Sequence, residues 1–253
     1  MAQERALGVV RAVNAAARQR GALDAVLQFD NLATQSQYRT AYALTSKYVR
    51  RGDTVLDWGC GNGHFSLFLE TLGACVTGFS FEPAPRVMND SPRFMFVAGS
   101  PDEPRRLPFA GAQFDMVVSV GVIEHVWETG GDERDSLAEL YRVLKPGGHF
   151  LTFHLPNRTG WIESAVALVG LKKHLHGRRY SGAEIRALWT GAGFEIVEIG
   201  RYNALPRNEL RALPSALRHA GWFARACNAA DDALGALAPM ICTNYFVVAR
   251  KAS

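Results

Sequence analysis

A glycine-rich turn with an acidic residue just before it is the strongest chemical signal in this sequence. Residues 55–65 read Val-Leu-Asp-Trp-Gly-Cys-Gly-Asn-Gly-His-Phe, so an apolar run leads through three glycines into a helical pattern. Glycine is needed where a side chain would block the close approach of the backbone to a ligand. The N–H groups at the start of the following helix can meet a carboxylate. The segment therefore predicts a site for a small molecule that carries a carboxylate.

The spacing of these glycines separates two classes of cofactor site. Nicotinamide-binding folds prefer G-x-G-x-x-G, with the third glycine three residues after the second. Here Gly59, Gly61 and Gly63 give G-x-G-x-G, His64 stands where that third glycine is expected, and Asp57 lies inside the strand end. A dinucleotide site is therefore the poorer interpretation. A tight turn without a ligand is a further alternative.

His125 is the best candidate for acid–base chemistry. It follows the fourth predicted strand, at the edge where open α/β sheets bind their ligands. Histidine can remove a proton at neutral pH, and the alternative is a structural histidine that hydrogen-bonds the sheet edge. His154 ends the fifth predicted strand at the same edge. A later basic group is expected to be a solvated loop or, less favoured, an anion-holding one: His174, His176, Arg178, Arg179 and Tyr180.

Alternating apolar runs and helical patterns position these residues. Strands are predicted at residues 54–58, 75–79, 94–98, 114–120, 149–154, 194–199 and 245–249. Helices are predicted within 1–50, around 65–72, over 137–144, where Lys-Pro-Gly-Gly ends the helix, and from an N-cap at Ser181 to Thr190. This alternation predicts a mostly parallel sheet with helices on both sides.

Residues 50 to 155 resemble class I S-adenosylmethionine-dependent methyltransferases, and in particular the type 11 methyltransferase domain. Besides the glycine turn, the matching segments occur in the family's order: Leu107-Pro108-Phe109, Phe114 to Ser119, Ile123-Glu124-His125-Val126, and residues 139–148. The resemblance implies an α/β fold, a Rossmann-like doubly wound sheet of seven strands in the order 3-2-1-4-5-7-6 with the last strand antiparallel. It also implies S-adenosyl-L-methionine as the cofactor.

The resemblance places the cofactor-binding residues at the ends of the first four strands. They are Asp57, Gly59, Cys60, Gly61, Ser80, Phe81, Glu82, Ser100, Val120 and Gly121. The family usually ends its second strand with a carboxylate that accepts both ribose hydroxyls, whereas this chain has Ser80 there and Glu82 two residues later. Either Glu82 reaches back or the ribose is held more weakly. In place of the adenine-binding aspartate that the family often has, this chain offers Ser100 or Asp102, and backbone groups are a third alternative.

Two further comparisons concern residues around the expected cofactor. Ubiquinone-pathway O-methyltransferases carry E-x-x-E-H linked to a divalent metal, but residues 121–125 read Gly-Val-Ile-Glu-His, so the first carboxylate is missing. We therefore predict that the site holds no metal. Gln35 and Tyr38 precede the first strand, where relatives cover the cofactor with an N-terminal helix; a core or surface role is equally compatible with them.

The chain is predicted to divide into an N-terminal helical cap, residues 1–50, and a methyltransferase domain, residues 51–253, with a helical insertion at about 207–238. Because the sixth strand ends and the last begins at the ligand edge, this insertion is expected to cover the acceptor with Trp222 and Phe223. The alternative is a helical pair that packs on the sheet or makes a homodimer.

Composition narrows the partners and the location. The net charge is +4 and the basic residues are scattered, which argues against a nucleic-acid partner. No apolar run has the length of an integral membrane segment or a signal peptide, and the four cysteines form no metal-binding pair. A cytoplasmic protein with reduced thiols is expected.

Together these features predict methyl transfer from S-adenosylmethionine to a small-molecule, glycan or lipid-linked acceptor, preferentially at oxygen, with His125 as the catalytic base. Two alternatives from other classes stay open. One is a noncatalytic protein that binds S-adenosylmethionine as a sensor or scaffold, and the other is a nicotinamide-dependent oxidoreductase.

Overall fold

A seven-stranded sheet forms the centre of the computed structural model, which describes residues 2–21, 31–100, 102–162, 165 and 176–253. The strand order is β3-β2-β1-β4-β5-β7-β6. Neighbours among the first five strands are parallel, and the last is antiparallel to both of its neighbours. The predicted fold class and strand order are confirmed. The strands are β1 Thr54–Trp58, β2 Cys75–Ser80, β3 Phe94–Ala98, β4 Phe114–Val120, β5 Leu144–Pro156, β6 Phe194–Tyr202 and β7 Asn244–Lys251.

Helices cover both faces of this sheet. The α-helices are α1 Ala2–Gln19, α2 Leu32–Gln35, α3 Arg39–Tyr48, α4 His64–Thr71, α5 Glu133–Val143, α6 Gly182–Gly191, α7 Ser215–Arg218 and α8 Gly221–Leu237. Short 3₁₀ turns include Ser36–Tyr38, Ile123–Thr129 and Glu209–Ala212. The predicted capping box at Ser181 is present, because its side chain and that of Glu184 each bond the other's backbone. The helical spacing noted at Leu23, Val26 and Leu27 lies outside the described residues.

Four strands are longer than predicted, β2 by a single residue and β5, β6 and β7 by more. β5 starts at Leu144, so the Pro-Gly-Gly segment expected to be a turn lies inside the strand. Leu144 pairs with Phe114, and a register shift between Phe114 and Met116 accommodates that segment. β6 and β7 are longer because they pair with each other along their whole length, from Phe194 opposite Lys251 to Tyr202 opposite Asn244. Cross-strand pairing therefore lengthens strands whose own sequence pattern is weak at the ends.

The sheet separates two hydrophobic cores. One contains Phe65 and Phe68 of α4 with Tyr42 of α3, and the other contains Leu140 of α5 with Trp189 of α6. Helix α1 is held to the first core, since Arg20 Nη2 lies 2.6 Å from the Glu70 carboxylate of α4. Both faces of the sheet are thus covered, which leaves its edges for ligands.

Two further observations concern the thiols and the length of the described helices. All four cysteines are free thiols, in agreement with the expected reduced state. Among the described helices, none combines the length and the apolar character required to cross a bilayer.

Candidate functional site

A cavity of about 1100 Å³ lies at the carboxyl edge of the parallel strands. Its wall contains the turns after β1, β2 and β4, the 3₁₀ turn before α3, and the ends of β5, β6 and β7. This edge includes the point between β1 and β4 where the chain reverses its winding direction, the usual ligand position in such sheets. Pockets for single small ligands measure about 300–1000 Å³, so a cofactor and a small acceptor fit together here.

The glycine turn forms one side of this cavity. The N–H groups of Gly59 and Cys60 both donate to the carbonyl of Phe79, at 2.8 and 3.1 Å, which anchors the turn to β2. Gly59 has φ +77° and a Cβ there would lie 2.3 Å from Val122 Cγ2. Gly61 has φ +46°, yet the nearest atom to a Cβ there is the Gly59 carbonyl oxygen at 4.0 Å. Gly59 is thus required by the protein itself, whereas Gly61 keeps the cavity open.

Asp57, predicted to line the cofactor site, lies behind the turn instead. Its side chain is 1% exposed and accepts a 2.6 Å hydrogen bond from the Ser66 hydroxyl of α4. Burial raises the pKa of this carboxyl to about 6, and the bonds from Ser66 oppose that shift. The carboxylate therefore ties β1 to α4 and supports the turn from below.

The residues after β2 and β3 differ in position. Ser80, Phe81 and Glu82 all line the cavity, and the Ser80 hydroxyl accepts the N–H of Glu82 at 3.0 Å. That bond holds the serine hydroxyl within its own turn, and which of the two residues binds the ribose stays a prediction. Ser100 is exposed, lies outside the cavity lining and caps its own loop by accepting the N–H of Asp102 at 3.3 Å.

The turn after β4 contributes Val120, Gly121, Glu124 and His125 to the cavity. His125 Nδ1 lies 2.7 Å from Glu128 Oε1, and the histidine side chain is 43% exposed. Glu124 is only 2% exposed, and its Oε2 has no hydrogen-bond partner among the described residues. Burial raises the pKa of Glu124 to about 7.

The reason given above for expecting no metal is wrong. One possible ligand atom from each of Glu124, His125 and His176 lies within 4.8 Å of the other two, so a third donor does exist. The sequence could not show this, since His176 reaches the cavity from the segment beyond β5. That the site holds no metal stays a prediction.

The basic group after β5 is only partly a solvated loop, since His176 is exposed whereas Tyr180 is buried. Tyr180 is fully buried and its hydroxyl donates to Glu133 Oε1 at 2.9 Å, while Arg178 Nε donates to the same oxygen at 2.7 Å. These bonds fasten the segment to the start of α5 and bring His176 to the cavity. His174 lies outside the described residues.

Among the described residues, only the beginning of the predicted acceptor lid reaches the cavity lining, and its role as a lid stays a prediction. Residues Arg207 to Glu209, at its beginning, line the cavity. Trp222 and Phe223 lie outside the described lining, and Trp222 is 61% exposed. Asp231 of the same helix is buried against Arg39 and Arg207. Trp222 lies nine positions before Asp231 in this helix. At 3.6 residues per turn, nine positions correspond to two and a half turns, so the two side chains lie on opposite faces. Burial of the aspartate therefore leaves the tryptophan on the solvent side.

Several cavity residues carried no recognisable sequence signal. Asn203, Thr243 and Asn244 belong to this group, together with Arg207 and Asn208. They flank β6 and β7, whose relation to the cavity depends on the sheet order. Of the two residues noted before β1, Tyr38 lines the cavity, whereas Gln35 is buried and donates to the Val10 carbonyl at 3.1 Å.

Comparison with known proteins identifies the family of this chain. A family model described as a methyltransferase domain matches residues 32–199. The chain belongs to this methyltransferase domain family. A Mycolicibacterium smegmatis protein named "Probable S-adenosylmethionine-dependent methyltransferase" is 32% identical over 173 residues, 67% of this chain and 61% of that protein. A ubiquinone biosynthesis O-methyltransferase of Methylobacterium sp. strain 4-46 is 36% identical over 124 residues, 47% of each chain. The match therefore spans less than two thirds of these relatives' own length.

Solved structures confirm the fold. A SAM-dependent methyltransferase from Archaeoglobus fulgidus superposes with a TM-score of 0.57 at 16% identity, covering 84% of this chain and 92% of that one. The 1,6-didemethyltoxoflavin-N1-methyltransferase of Burkholderia thailandensis gives 0.55 at 19% identity, covering 86% and 79%. The family model and the Mycolicibacterium smegmatis relative confirm the predicted S-adenosylmethionine-dependent methyltransferase domain and its cofactor, whereas the narrower type 11 assignment stays a prediction.

Proposed function

We propose that this protein transfers the methyl group of S-adenosylmethionine to an oxygen atom of a small-molecule, glycan or lipid-linked acceptor. The observation that carries the proposal is the open space at Gly61, on the wall of a cavity large enough for two ligands. The choice of oxygen is supported by relatives named O-methyltransferases, among them the Methylobacterium protein and a malonyl-[acyl-carrier protein] O-methyltransferase of Salmonella typhimurium.

The residues on the β1, β2 and β4 side of the cavity suit the cofactor. Gly59, Cys60 and Gly61 would bind the amino-acid end of the cofactor, and Glu82 would bind its ribose. Val120 and Gly121 would contact the opposite side of the cofactor. When bound, S-adenosylmethionine supplies a methyl group on a positively charged sulfur. The protein's part is to hold the acceptor oxygen in line with that group and to remove its proton, for which we propose His125. Residues 1–50 would act as a cap, since Tyr38 lines the cavity and Arg20 ties α1 to α4.

Calorimetry separates this proposal from its alternatives. We expect S-adenosylhomocysteine to bind and NAD to give no heat. Radiolabelled S-adenosylmethionine should then transfer its methyl group to members of a panel of phenols, sugars and lipid-linked alcohols. Binding of NAD in place of S-adenosylhomocysteine would support the oxidoreductase, and binding without transfer to any member would support the noncatalytic protein.

His125→Ala is expected to lower turnover by ~10²-fold while the affinity for S-adenosylhomocysteine stays similar, because a general base acts only on the chemical step. The measurement is kcat on the best acceptor of the panel, with cofactor affinity by calorimetry. His149→Ala is the matched control, since this histidine lies in the middle of β5 against Tyr48 and outside the described cavity lining. Equal turnover in the two variants would make His125 structural.

Chelation is expected to leave turnover unchanged, because a base needs a ring nitrogen that no metal occupies. The test is kcat after dialysis against EDTA, compared with a mock-dialysed sample. A loss that Mn²⁺ or Mg²⁺ restores would instead assign a metal to Glu124, His125 and His176, the three donors that lie within 4.8 Å.

A further inference from the structure

A β-bulge interrupts β5 where this strand meets the cavity. Thr152 faces Val247 and Leu155 faces Tyr245, so two residues of β5 stand opposite one residue of β7. His154, one of these two, has φ +59°, a left-handed conformation that few residues other than glycine adopt. Residues two apart in a regular strand share a face, but here the bulge places them on opposite faces. Phe153 packs in the core with α4, and Leu155 packs in the core with α5. Bulges next to active sites often redirect a side chain in this way.

The redirected imidazole of His154 is held from two sides. It stacks on Tyr38 with ring centres 4.9 Å apart and 16° between the planes, and it meets Tyr202 edge-on at 5.6 Å. The Tyr202 hydroxyl also accepts the backbone N–H of His154 at 2.8 Å. The Nε2 atom is buried at the cavity wall and has no hydrogen-bond partner among the described residues.

Asn203, directly after β6, repeats this combination. Its φ is +61°, its side chain lines the cavity, and the residue is 5% exposed. The Nδ2 group donates to the Gln37 carbonyl at 3.2 Å, which leaves Oδ1 as the atom without a partner in the described part of the chain. Thr243 fixes the backbone by donating its N–H and its hydroxyl to the Asn203 carbonyl at 2.9 and 2.7 Å.

The positive φ and the buried polar atom without a hydrogen bond each lower the stability of the folded protein, unless binding of a ligand compensates for them. A non-glycine residue held in the left-handed region is strained, and such residues cluster at ligand sites. A buried polar atom without a hydrogen bond adds a desolvation penalty. Of the four described non-glycine residues with positive φ, His154 and Asn203 line the cavity, whereas Asp90 and Ala112 do not.

We propose that His154 Nε2 and Asn203 Oδ1 form the acceptor-binding subsite, where they accept hydrogen bonds from hydroxyl groups of an uncharged methyl acceptor. This inference rests on the function proposed above and names the acceptor class for it. The subsite lies on the β5 and β6 side of the cavity, across from the cofactor residues of β1 and β2.

The charge of the subsite supports a neutral acceptor. Burial, and to a smaller extent the neighbouring His176, lower the pKa of His154 to about 4, so the imidazole is uncharged at neutral pH. A carboxylate on the acceptor would find no imidazolium here and would face the Asn203 carbonyl oxygen. An undissociated hydroxyl group provides the donor that both atoms need.

Phenol and anisole test this subsite, because they share a ring and only phenol can donate a hydrogen bond. Each probe is titrated by ligand-observed NMR onto protein loaded with S-adenosylhomocysteine. We expect phenol to bind about 10-fold more tightly than anisole, the effect of one hydrogen bond to a buried acceptor. His154→Asn removes the ring nitrogen and Asn203→Gly removes the amide oxygen, so each variant should reduce this preference. Both replacements tolerate positive φ, so the backbone should keep its conformation. Ala112→Gly, a positive-φ position outside the cavity, should keep it.

The outcomes separate this inference from the proposed function. Equal affinities for phenol and anisole, absence of phenol binding, a preference kept in both variants, or tighter binding of benzoate than of phenol would each overturn the subsite. Calorimetry with S-adenosylhomocysteine on the same samples checks that the variants are folded. Failure of the wild-type protein to bind it overturns the proposed function and the subsite together.

Discussion

Gly61→Val is expected to lower the affinity for S-adenosylhomocysteine by about 100-fold or more, equivalent to about 3 kcal/mol, in a chain that still folds. A Cβ at Gly61 meets no protein atom closer than 4.0 Å, so the branched side chain takes the space that the ligand needs and clashes with nothing else. The φ of +46° adds about 1–2 kcal/mol of backbone strain to the folded state. Calorimetry measures the affinity and thermal unfolding measures the stability.

Gly52→Val provides the matched control. Gly52 has φ +89°, nothing lies within 4 Å of a Cβ there, and it sits in the turn before β1, outside the described cavity lining. This variant should lose stability for the same backbone reason and bind S-adenosylhomocysteine as the wild type does. Wild-type affinity in folded Gly61→Val would mean that the glycine turn does not hold the cofactor.

Asp231→Ala is expected to lower the free energy of unfolding by about 3–5 kcal/mol, the effect of leaving a buried charge without its partner. The Asp231 carboxylate lies 3.2 Å from both Arg39 and Arg207, and all three side chains are nearly inaccessible to solvent. Its other oxygen accepts the N–H groups of Ala204 and Leu205 at 2.7 and 2.8 Å. Removing it leaves the buried guanidinium of Arg207 without a carboxylate partner in the described part of the chain, and it leaves two backbone donors without an acceptor. The urea midpoint of unfolding measures this loss.

Asp232→Ala is the control, one position along the same helix. Asp232 also pairs with Arg39, but its side chain is 55% exposed. Exposed ion pairs contribute about 1 kcal/mol or less, so the two midpoints should differ clearly. Similar small losses in both variants would show that the buried network does not hold α8 against the N-terminal segment.

The sequence predicted best where a residue's own neighbours determine its state. β3 and β4 have the predicted bounds, because each is an apolar run that lies between turn residues. The capping box at Ser181 is a local pattern of the same kind. The glycine turn is similar, since its positive φ angles are encoded by the glycines themselves. The strand order and the cofactor came from the family resemblance.

The positions of several other side chains depend on residues that are far apart in the chain and come together only in the folded structure. Folding took Asp57 out of the cavity and brought His176 in, and it turned Trp222 outward because Asp231 pairs with Arg39, 192 positions away. The positive φ of His154 likewise follows from a bulge in the pairing of β5 with β7. A side chain's role depends on which charges and strands surround it, and those are brought together only by folding. The family, the cofactor and the glycine turn could therefore be predicted from the sequence, whereas the β5 and β6 side of the cavity depends on long-range pairing and burial.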